Sequence, residues 1–575
     1  MAKLHWQSRY NSLKTHWLYL LISMATLLPS LVLAEQDGQK IYDEIMQATD
    51  RREAGHFIFQ RALSGNDPEL QKAALLGLGR IGAAKSIDQI GTYLYSPQPD
   101  IRKTAAFSLA ITMNPNAYNW LVKRLASETN HGVLAELVAG IGIAPKHESD
   151  PDRVAVLLPY LDHAAISVRA STCDGLNYAW SMYRDTISVP NSTQVFKLMS
   201  MAQAHPELAD HCLYSLTRLR TETALFEQAQ LLKTIAAAST PYHHKLLLLI
   251  VGQQQNVQYL PYITAQLNAE DMGVVAEAAT ALAKLPLSEA NNLSYQALLK
   301  HPESQVKIGF IQGLVSQPPS DSSLAMLKQL SEDSSNWIKY RALALLFQAQ
   351  PENYLSAVLK LFEQSTAQST TWELMLLEVA GQMDDDAAKA VIKRALKSDQ
   401  SVIREIAEQL ATETSDDAET RPNSATAPYA AVRGIFSERL VIQTNRGDIT
   451  IQLLPAAPYS SFNFYQLAAK GYYDGTPFHR VIPNFVAQGG DARGTGTGNP
   501  GYVIREELSP SSQLRGTVGV ATSGKDTGGS QFYFNLKDNW HLDRRYTVFA
   551  RVTEGMDVMD KLERGDYVIS VKPSK

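Results

Sequence analysis

The 575-residue sequence has few cysteines, little net charge and few long apolar runs. It contains only two cysteines, which excludes a small disulfide scaffold and a cysteine-rich zinc protein. Its net formal charge is only -5, so an electrostatic nucleic-acid binder is not indicated. Beyond residue 34 no stretch is apolar enough to span a bilayer. With 45% hydrophobic residues, the chain is expected to be folded, and it is too long for a single hydrophobic core.

The N-terminus differs from the rest of the chain. The basic residues Lys3, Arg9 and Lys14 precede the apolar run WLYLLISMATLLPSLVLA. Val32-Leu33-Ala34 ends that run with residues that suit a signal peptidase. We therefore predict a signal peptide over residues 1–34 and a mature chain exported to the periplasm. An uncleaved inner-membrane anchor is the alternative, and no other contact with a membrane is predicted.

The two cysteines, Cys173 and Cys212, both lie in apolar stretches with helical spacing. Neither has a histidine or aspartate at metal-ligand spacing, so no metal site is predicted. In an oxidising compartment the pair can form one disulfide. Two buried free thiols on neighbouring helices explain the sequence equally well, and both interpretations remain open here.

Residues 38–413 are rich in alanine and leucine and repeat with a period of 32. Three columns of residues carry the period: Val274, Val306, Ile338, Val402; Leu282, Leu314, Leu346, Leu410; and Ala278, Phe310, Ala342, Leu374, Ile406. The repeat that starts near residue 367 instead places Thr370 and Glu378 in the first two columns. Its helix is therefore predicted to be displaced by one or two residues.

Within each repeat the apolar positions recur three, four and seven or eight residues apart, which is the spacing of an amphipathic helix. Segments such as DIRKTAAFSLA (100–110) and SVIREIAEQLA (401–411) resemble HEAT repeats, which implies an α-solenoid of stacked helix pairs. Its isolated histidines are interpreted as solvated or capping residues. We expect its concave surface to bind a protein partner; a spacer that holds the C-terminal domain away from something else is the alternative.

The pattern changes after residue 413. Residues 414–436 are rich in Asp, Glu, Ser, Thr and Pro, so we predict a flexible linker that lets the flanking domains move. Beyond it, residues 440–454 alternate polar and apolar positions around a turn at Asn445–Gly447, which is typical of a β-hairpin. One helix is predicted from Pro458, and further short β-rich runs indicate a closed antiparallel barrel with two helices.

The segment GYYDGTPFHRVIPNFVAQGGD (471–491) carries the strongest signal in the chain, followed by GVATSGKDTGGSQFYFNL and HLDRRYTVFARV. In order and spacing these segments resemble the cyclophilin family from about residue 440 to the C-terminus. The resemblance implies a peptidyl-prolyl cis-trans isomerase domain over residues 437–575, acting on proline-containing polypeptides. The predicted fold class is thus an all-α HEAT-like solenoid followed by a mainly antiparallel, cyclophilin-like β-barrel.

Isomerisation of an X-Pro bond makes and breaks no covalent bond, so no cofactor is predicted. Its barrier of about 18–20 kcal/mol comes from the partial double-bond character of the amide. A catalyst must bind the twisted amide more tightly than the planar forms. A fixed cationic donor can do so, because the nitrogen of a twisted amide accepts a hydrogen bond.

The resemblance assigns the site residues. It implies that Arg480 is the catalytic cation and that Gln488 holds it and contacts the peptide. It also implies a substrate-binding set, comprising Phe485, Val486, Ala521, Thr522, Gln531, Tyr533, His541, Leu542 and Tyr546. In the best-known members Met, Phe, Trp and His usually stand at Val486, Tyr533, His541 and Tyr546, so sensitivity to cyclosporin is left open. His479 is expected to support the barrel.

The function that follows is an enzyme that assists folding of envelope or secreted proteins, with the helical repeats as a protein-binding scaffold. A proline-directed adaptor, or an envelope scaffold with little turnover, is the alternative.

Overall fold

A computed structural model describes residues 37–574 except 184–189, 220–225, 364–365, 367–368, 413–428 and 436–437. The predicted signal peptide lies outside the described residues. Among the described residues, no helix combines the length and apolarity that crossing a bilayer requires. The helices before residue 413 are α1 (37–50), α2 Phe57–Ser64, α3 Pro68–Ile81, α4 Ile87–Thr92, α5 Pro99–Ile111, α6 Pro115–Leu125, α7 His131–Ile143, α8 Arg153–Leu157, α9 Ile166–Met182, α10 Ser192–Ala204, α11 Pro206–Leu216, α12 Gln228–Ala236, α13 Pro241–Gln254, α14 Leu260–Gln266, α15 Met272–Ala283, α16 Glu289–Leu299, α17 Ser304–Leu314, α18 Asp321–Leu330, α19 Asn336–Ala349, α20 Pro351–Glu363, α21 Thr370–Ala380, α22 Asp386–Ala395 and α23 Ser401–Thr412.

These helices form one stacked array, which confirms the solenoid. From α3 to α23 each odd-numbered helix packs on the next odd-numbered helix, and the even-numbered helices form a second layer. Local sequence sets the helix ends: the Asp67 carboxylate accepts from the backbone N–H groups of Glu69 and Leu70 at the start of α3, and Pro68 follows it. Gly82 ends α3 with φ 69°, a left-handed conformation that favours glycine.

Helix α21 differs from its neighbours in register. Val306 and Ile338 are each the third residue of their helices and are buried, whereas Thr370 is the first residue of α21. Trp372 therefore takes the buried third position, and the helix is displaced by two residues, as the sequence predicts. The displacement moves Glu378 out of the leucine column and leaves it exposed.

Cys173 of α9 and Cys212 of α11 form a disulfide, with their Cα atoms 5.0 Å apart. Both residues are fully buried in the core of the array. This settles the alternative left open by the sequence in favour of the bridge, which joins two neighbouring helices of the odd-numbered layer.

The predicted linker is partly ordered. Residues 413–428 lie outside the described residues, but α24 Tyr429–Arg433 follows them. Tyr429 and Val432 are buried in a cluster with Met46 of α1 and Tyr459. The flexible segment predicted over 414–436 therefore differs from the structure at its C-terminal end, because its aromatic and aliphatic side chains find apolar partners there.

Residues 439–574 fold as the predicted barrel. Its strands are β1 Arg439–Thr444, β2 Gly447–Leu453, β3 Arg480–Ile482, β4 Val486–Gly489, β5 Thr517–Val520, β6 Phe532–Asn535, β7 Val548–Glu554 and β8 Val568–Pro573, with helices α25 Pro458–Ala469 and α26 Met556–Asp560. All pairs are antiparallel in the order β3-β4-β6-β5-β7-β2-β1-β8. An isolated bridge between Pro477 and Tyr567 joins the two edges, so the barrel closes by a short contact rather than a full ladder.

The barrel lies against the odd-numbered helices of the array. Arg80 of α3 donates to the carbonyl oxygens of Leu508 (2.9 Å) and Ala456 (2.9 Å). Farther along, the Tyr242 hydroxyl of α13 donates to the Asp538 carbonyl oxygen at 3.1 Å. Because these two contacts lie on α3 and α13, the barrel touches the array over a long part of its length.

Charged side chains are part of this interface. Arg544 of the barrel pairs with Glu136 of α7, and their side chains are 13% and 7% exposed. At the far end of the array, Glu405 of α23 pairs with Arg493 at 2.8 Å. The chain's own barrel thus covers part of the odd-numbered helices, which the sequence does not predict. A partner on the array stays a prediction.

Candidate active site

The two central residues lie opposite each other on one hairpin. Strands β3 and β4 pair so that Arg480 faces Gln488 across the ladder. The guanidinium Nη1 of Arg480 donates to Gln488 Oε1 at 3.4 Å, and Gln488 Nε2 donates to Gln531 Oε1 at 3.0 Å. Gln531 in turn donates to the Gly496 and Gly498 carbonyl oxygens at 2.8 and 2.9 Å. A chain of side-chain hydrogen bonds therefore fixes the orientation of Arg480.

A cavity of about 240 Å³ lies beside Arg480. Nine of the eleven site residues predicted from the sequence line it: Arg480, Phe485, Val486, Gln488, Ala521, Thr522, Tyr533, Leu542 and Tyr546. Its floor is an apolar cluster of Val486, Tyr533 and Leu542, which are 3–8% exposed. The space suits the three methylenes of a proline ring, which bind by removal of apolar surface from water.

The floor of this cavity rests on a buried amide network. The Tyr533 hydroxyl donates to Gln513 Oε1 at 3.0 Å, and Asn535 donates to the same oxygen at 2.8 Å. The amide nitrogen of Gln513 donates to the Tyr546 carbonyl oxygen at 3.0 Å. A Cβ added at Gly519 would lie 2.3 Å from the Tyr533 ring, so glycine makes room for it. The extra hydroxyl of Tyr533 is therefore satisfied within the barrel.

Gln531 and His541 do not line this cavity. Gln531 lines a neighbouring cavity of about 500 Å³, which also has Ala521 and Thr522 in its wall. This arrangement fits the prediction that the peptide preceding proline lies along these residues. His541 instead stacks on the Phe485 ring, with ring centroids 5.6 Å apart.

The array reaches the site through His541. The Tyr214 hydroxyl of α11 lies 2.6 Å from His541 Nδ1, at hydrogen-bonding distance. His541 thus joins Phe485, a wall of the proline-sized cavity, to a helix of the array. Sequence reasoning missed this contact, because residues 214 and 541 share no local pattern.

His479 is buried next to Arg480, and that burial lowers its pKa to about 4. The negative charge of Asp491 raises the pKa of His479, whereas the positive charges of Arg564 and Arg480 lower it further. The imidazole is neutral at pH 7, which fits the supporting role expected for it and not that of an acid–base group.

The geometry places one cation at the edge of an apolar, proline-sized cavity. The Arg480 guanidinium carbon lies 5.6 Å from the Phe485 ring centroid. Nearby atoms displace part of the water around the Arg480 guanidinium and lower its pKa, although the side chain stays partly exposed and an arginine remains charged. A donor fixed in such a place strengthens its hydrogen bond to a twisted amide nitrogen without reorganising solvent. This chemistry needs no group beyond the side chains present.

Comparison with known families matches two parts of the chain. Residues 439–575 match the family described as cyclophilin type peptidyl-prolyl cis-trans isomerase/CLD. Residues 56–142 match the HEAT repeats family. The two matches correspond to the barrel and to helices α2–α7 of the array.

Individual relatives match the barrel. A peptidyl-prolyl cis-trans isomerase of Helicobacter pylori is 47% identical over 135 residues, which are 23% of this chain and 83% of that one. Peptidyl-prolyl cis-trans isomerase B of Bacillus subtilis is 46% identical over 127 residues, 22% of this chain and 89% of the relative. A solved Cryptosporidium parvum cyclophilin is 27% identical, with a TM-score of 0.23, and covers 24% of this chain and 98% of that structure. With the fold and the Arg480 cavity, the sequence identities show that the chain belongs to the cyclophilin-type peptidyl-prolyl cis-trans isomerase family.

Proposed function

We propose that this isomerase is exported and catalyses the cis-trans isomerisation of X-Pro bonds in unfolded or partly folded envelope and secreted proteins. The isomerase domain itself follows from the family. The compartment, the clients and the role of the array are the proposed part.

The disulfide supports the oxidising compartment. Cys173 and Cys212 are both fully buried, so their bridge is shielded from small reductants. Disulfides of this structural kind persist in the periplasm and outside cells and are rare in the cytosol. The basic and apolar N-terminal segment over residues 1–34 is the matching sequence feature.

The array is proposed to hold the isomerase domain and to border its site. Tyr214 lies against His541, and Arg80 holds the barrel through two backbone carbonyl oxygens. Client chains then meet a cleft with one wall from the barrel and one from the array. Any further partner of the array would bind its even-numbered helices, away from the barrel.

Arg480 is proposed as the catalytic residue, and one experiment tests it. The mature chain, residues 35–575, is assayed by NMR exchange on an Ala-Pro peptide and by refolding of a proline-limited client. Arg480→Ala should lower kcat/KM by about 10²–10³, as loss of one transition-state donor does. The matched control is Arg439→Ala, which removes an exposed arginine from β1 of the same barrel and should leave the rate unchanged.

Two outcomes of that assay count against the proposal. Equal rates for the Arg480→Ala variant and the native chain would remove Arg480 from the mechanism. Tight binding of prolyl peptides by the native chain without turnover would favour the adaptor instead.

Localisation is tested separately. Cells are fractionated, the N-terminus of the purified chain is sequenced, and the thiols of the denatured chain are alkylated before and after reduction. A periplasmic chain that starts at residue 35 and alkylates only after reduction is expected. A cytosolic chain with two reactive thiols would contradict export.

A further inference from the structure

A second, larger cavity opens next to the proline-sized one. It measures about 580 Å³, lies between the array and the barrel, and shares Arg480 and Gln488 with the smaller cavity. On the barrel side it also reaches Ile482 and Gly494–Gly496. Because the two cavities share the catalytic arginine, a polypeptide seated by its proline can extend into this space.

The wall opposite the barrel comes from four helices of the array, each of which contributes an apolar side chain. Helix α17 supplies Ile308, α19 supplies Trp337, α21 supplies Leu374 and α23 supplies Ile406. The first three residues are at most 8% exposed and form part of the array core. This wall therefore has a defined shape and can accept aliphatic parts of a bound chain.

The charges in this cavity are mostly positive. Arg341 from the array and Arg480 and Arg564 from the barrel line it, and Glu378 is the acidic residue among its lining residues. Nε of Arg564 is buried and has no hydrogen-bond partner among the described residues. Three guanidinium groups against one carboxylate leave an excess of positive charge in a space that is partly shielded from water, where charge interactions are strengthened.

Glu378 occupies this cavity because of the displaced helix. The two-residue shift of α21 removes Glu378 from the leucine column of the array and leaves its side chain exposed beside Arg341 and Arg564. The array thus adds both a cation and an anion to the border of the isomerase site.

We infer that this cavity is a substrate subsite that binds a carboxylate side chain of the client, a few residues from the isomerised proline. The inference rests on the proposed action on client chains. It adds that a preferred client carries an acidic residue near its proline, and that the aliphatic part of this residue packs on the array wall. The cyclophilin-like barrel alone supplies only half of this subsite.

The test uses peptides with one proline and the mature full-length chain. Glu, Gln or Lys is placed in turn at each of the three positions on either side of the X-Pro pair, and kcat/KM is measured by NMR exchange. At one or more positions we expect Glu to exceed Gln about tenfold, the effect of one charge-assisted hydrogen bond, and Lys to fall below Gln. The Glu preference should shrink as salt rises from 0.05 to about 1 M, where screening acts within about 3 Å.

Two variants on the array should change the Glu-to-Gln ratio in opposite directions. Arg341→Gln should lower it about threefold or more, and Glu378→Gln should raise it, because the competing carboxylate is gone. A general disturbance of the fold would not produce opposite shifts. The control is Lys339→Gln, which removes a positive charge from the same helix α19 at a position that does not line the cavity.

The outcomes separate this inference from the proposed function. If every peptide is a substrate and kcat/KM for the Glu, Gln and Lys versions agrees within twofold at every position, the subsite is overturned and the isomerase activity stands. Activity on none of the peptides would overturn the action on clients as well. A ratio that Lys339→Gln changes as much as Arg341→Gln would also overturn the subsite, because the effect would then come from net charge alone.

Discussion

The array contacts the barrel differently along its two halves. Along α3–α15, here called the held side, direct hydrogen bonds join the domains, as at Arg80 and Tyr242. Along α17–α23, the gap side, Gln305, Ser335 and Glu405 also reach the barrel. Cavities of about 580 and 980 Å³ lie between the domains on this side, and one of about 510 Å³ lies where the two sides meet. The difference indicates that the held side fixes the barrel while the gap side leaves room for a polypeptide.

The largest effect is expected at a buried ion pair of the held side, Glu136–Arg544. Glu136→Leu leaves Arg544 buried without its carboxylate, which should cost about 3–5 kcal/mol of stability. Thermal unfolding and limited proteolysis of the barrel both report the loss. The double variant Glu136→Leu/Arg544→Met should recover most of it; failure to recover would show that shape and not charge holds this contact.

The next prediction concerns pH on the held side. Burial raises the pKa of Asp543 from its ordinary value of 3.8 to about 7. In the unfolded chain this carboxyl loses its proton near pH 4, while the folded chain holds it until about pH 7. Stability is therefore lost as pH rises through this window.

Asp543→Asn keeps the shape of the side chain and removes that titration. It should stabilise the chain at pH 8, by up to about 4 kcal/mol, and have no effect at pH 4. Denaturant unfolding at both values measures the difference, with the exposed Asp474→Asn as control. A gain that is equal at pH 4 and pH 8 would contradict the raised pKa.

A smaller effect is expected where the held side meets the proline-sized cavity. Tyr214→Phe removes the hydroxyl next to His541 and should raise KM about threefold to tenfold, since one such hydrogen bond contributes about 1 kcal/mol. Tyr262→Phe breaks a comparable contact to His244 Nδ1, 3.1 Å away within the array, and should leave KM unchanged. Equal values for both variants would show that the array does not position His541.

The smallest effect is expected on the rim of the gap side. Arg493→Gln breaks the ion pair with Glu405, whose side chains are 41% and 48% exposed. Exposed pairs of this kind contribute about 0.2–1 kcal/mol, so unfolding should change little. A larger loss of unfolding free energy would mean that the gap side also fixes the barrel. The proposed difference between the two sides would then be wrong.

The residues in the barrel half of the site could be brought together from the sequence because that information is local. Arg480 and Gln488 lie eight residues apart around one turn, so a hairpin alone brings them together. The array half could not be predicted. Tyr214 and Arg341 lie in ordinary amphipathic helices, and only the way the array packs around the barrel gives them a place at the site.

The same distinction explains the predictions on domain organisation. The period of 32 reveals the helices and even the displacement of α21, because each repeat contacts only its neighbours. It carries no information on what the inner face covers. The polar composition of residues 414–436 predicts a linker, yet Tyr429 and Val432 are buried against α1, some 380 residues earlier in the chain.

The order of the two domains along the chain has a consequence for biosynthesis. The helices of the array are made before the strands of the barrel that covers them. At about 5–20 residues per second, the final 137 residues take roughly 7–27 s to synthesise. Throughout that interval Phe107 and Ile111, which later pack on Leu508, have no cover from the barrel. Until the barrel folds, these apolar side chains therefore form a surface that a holding chaperone could bind.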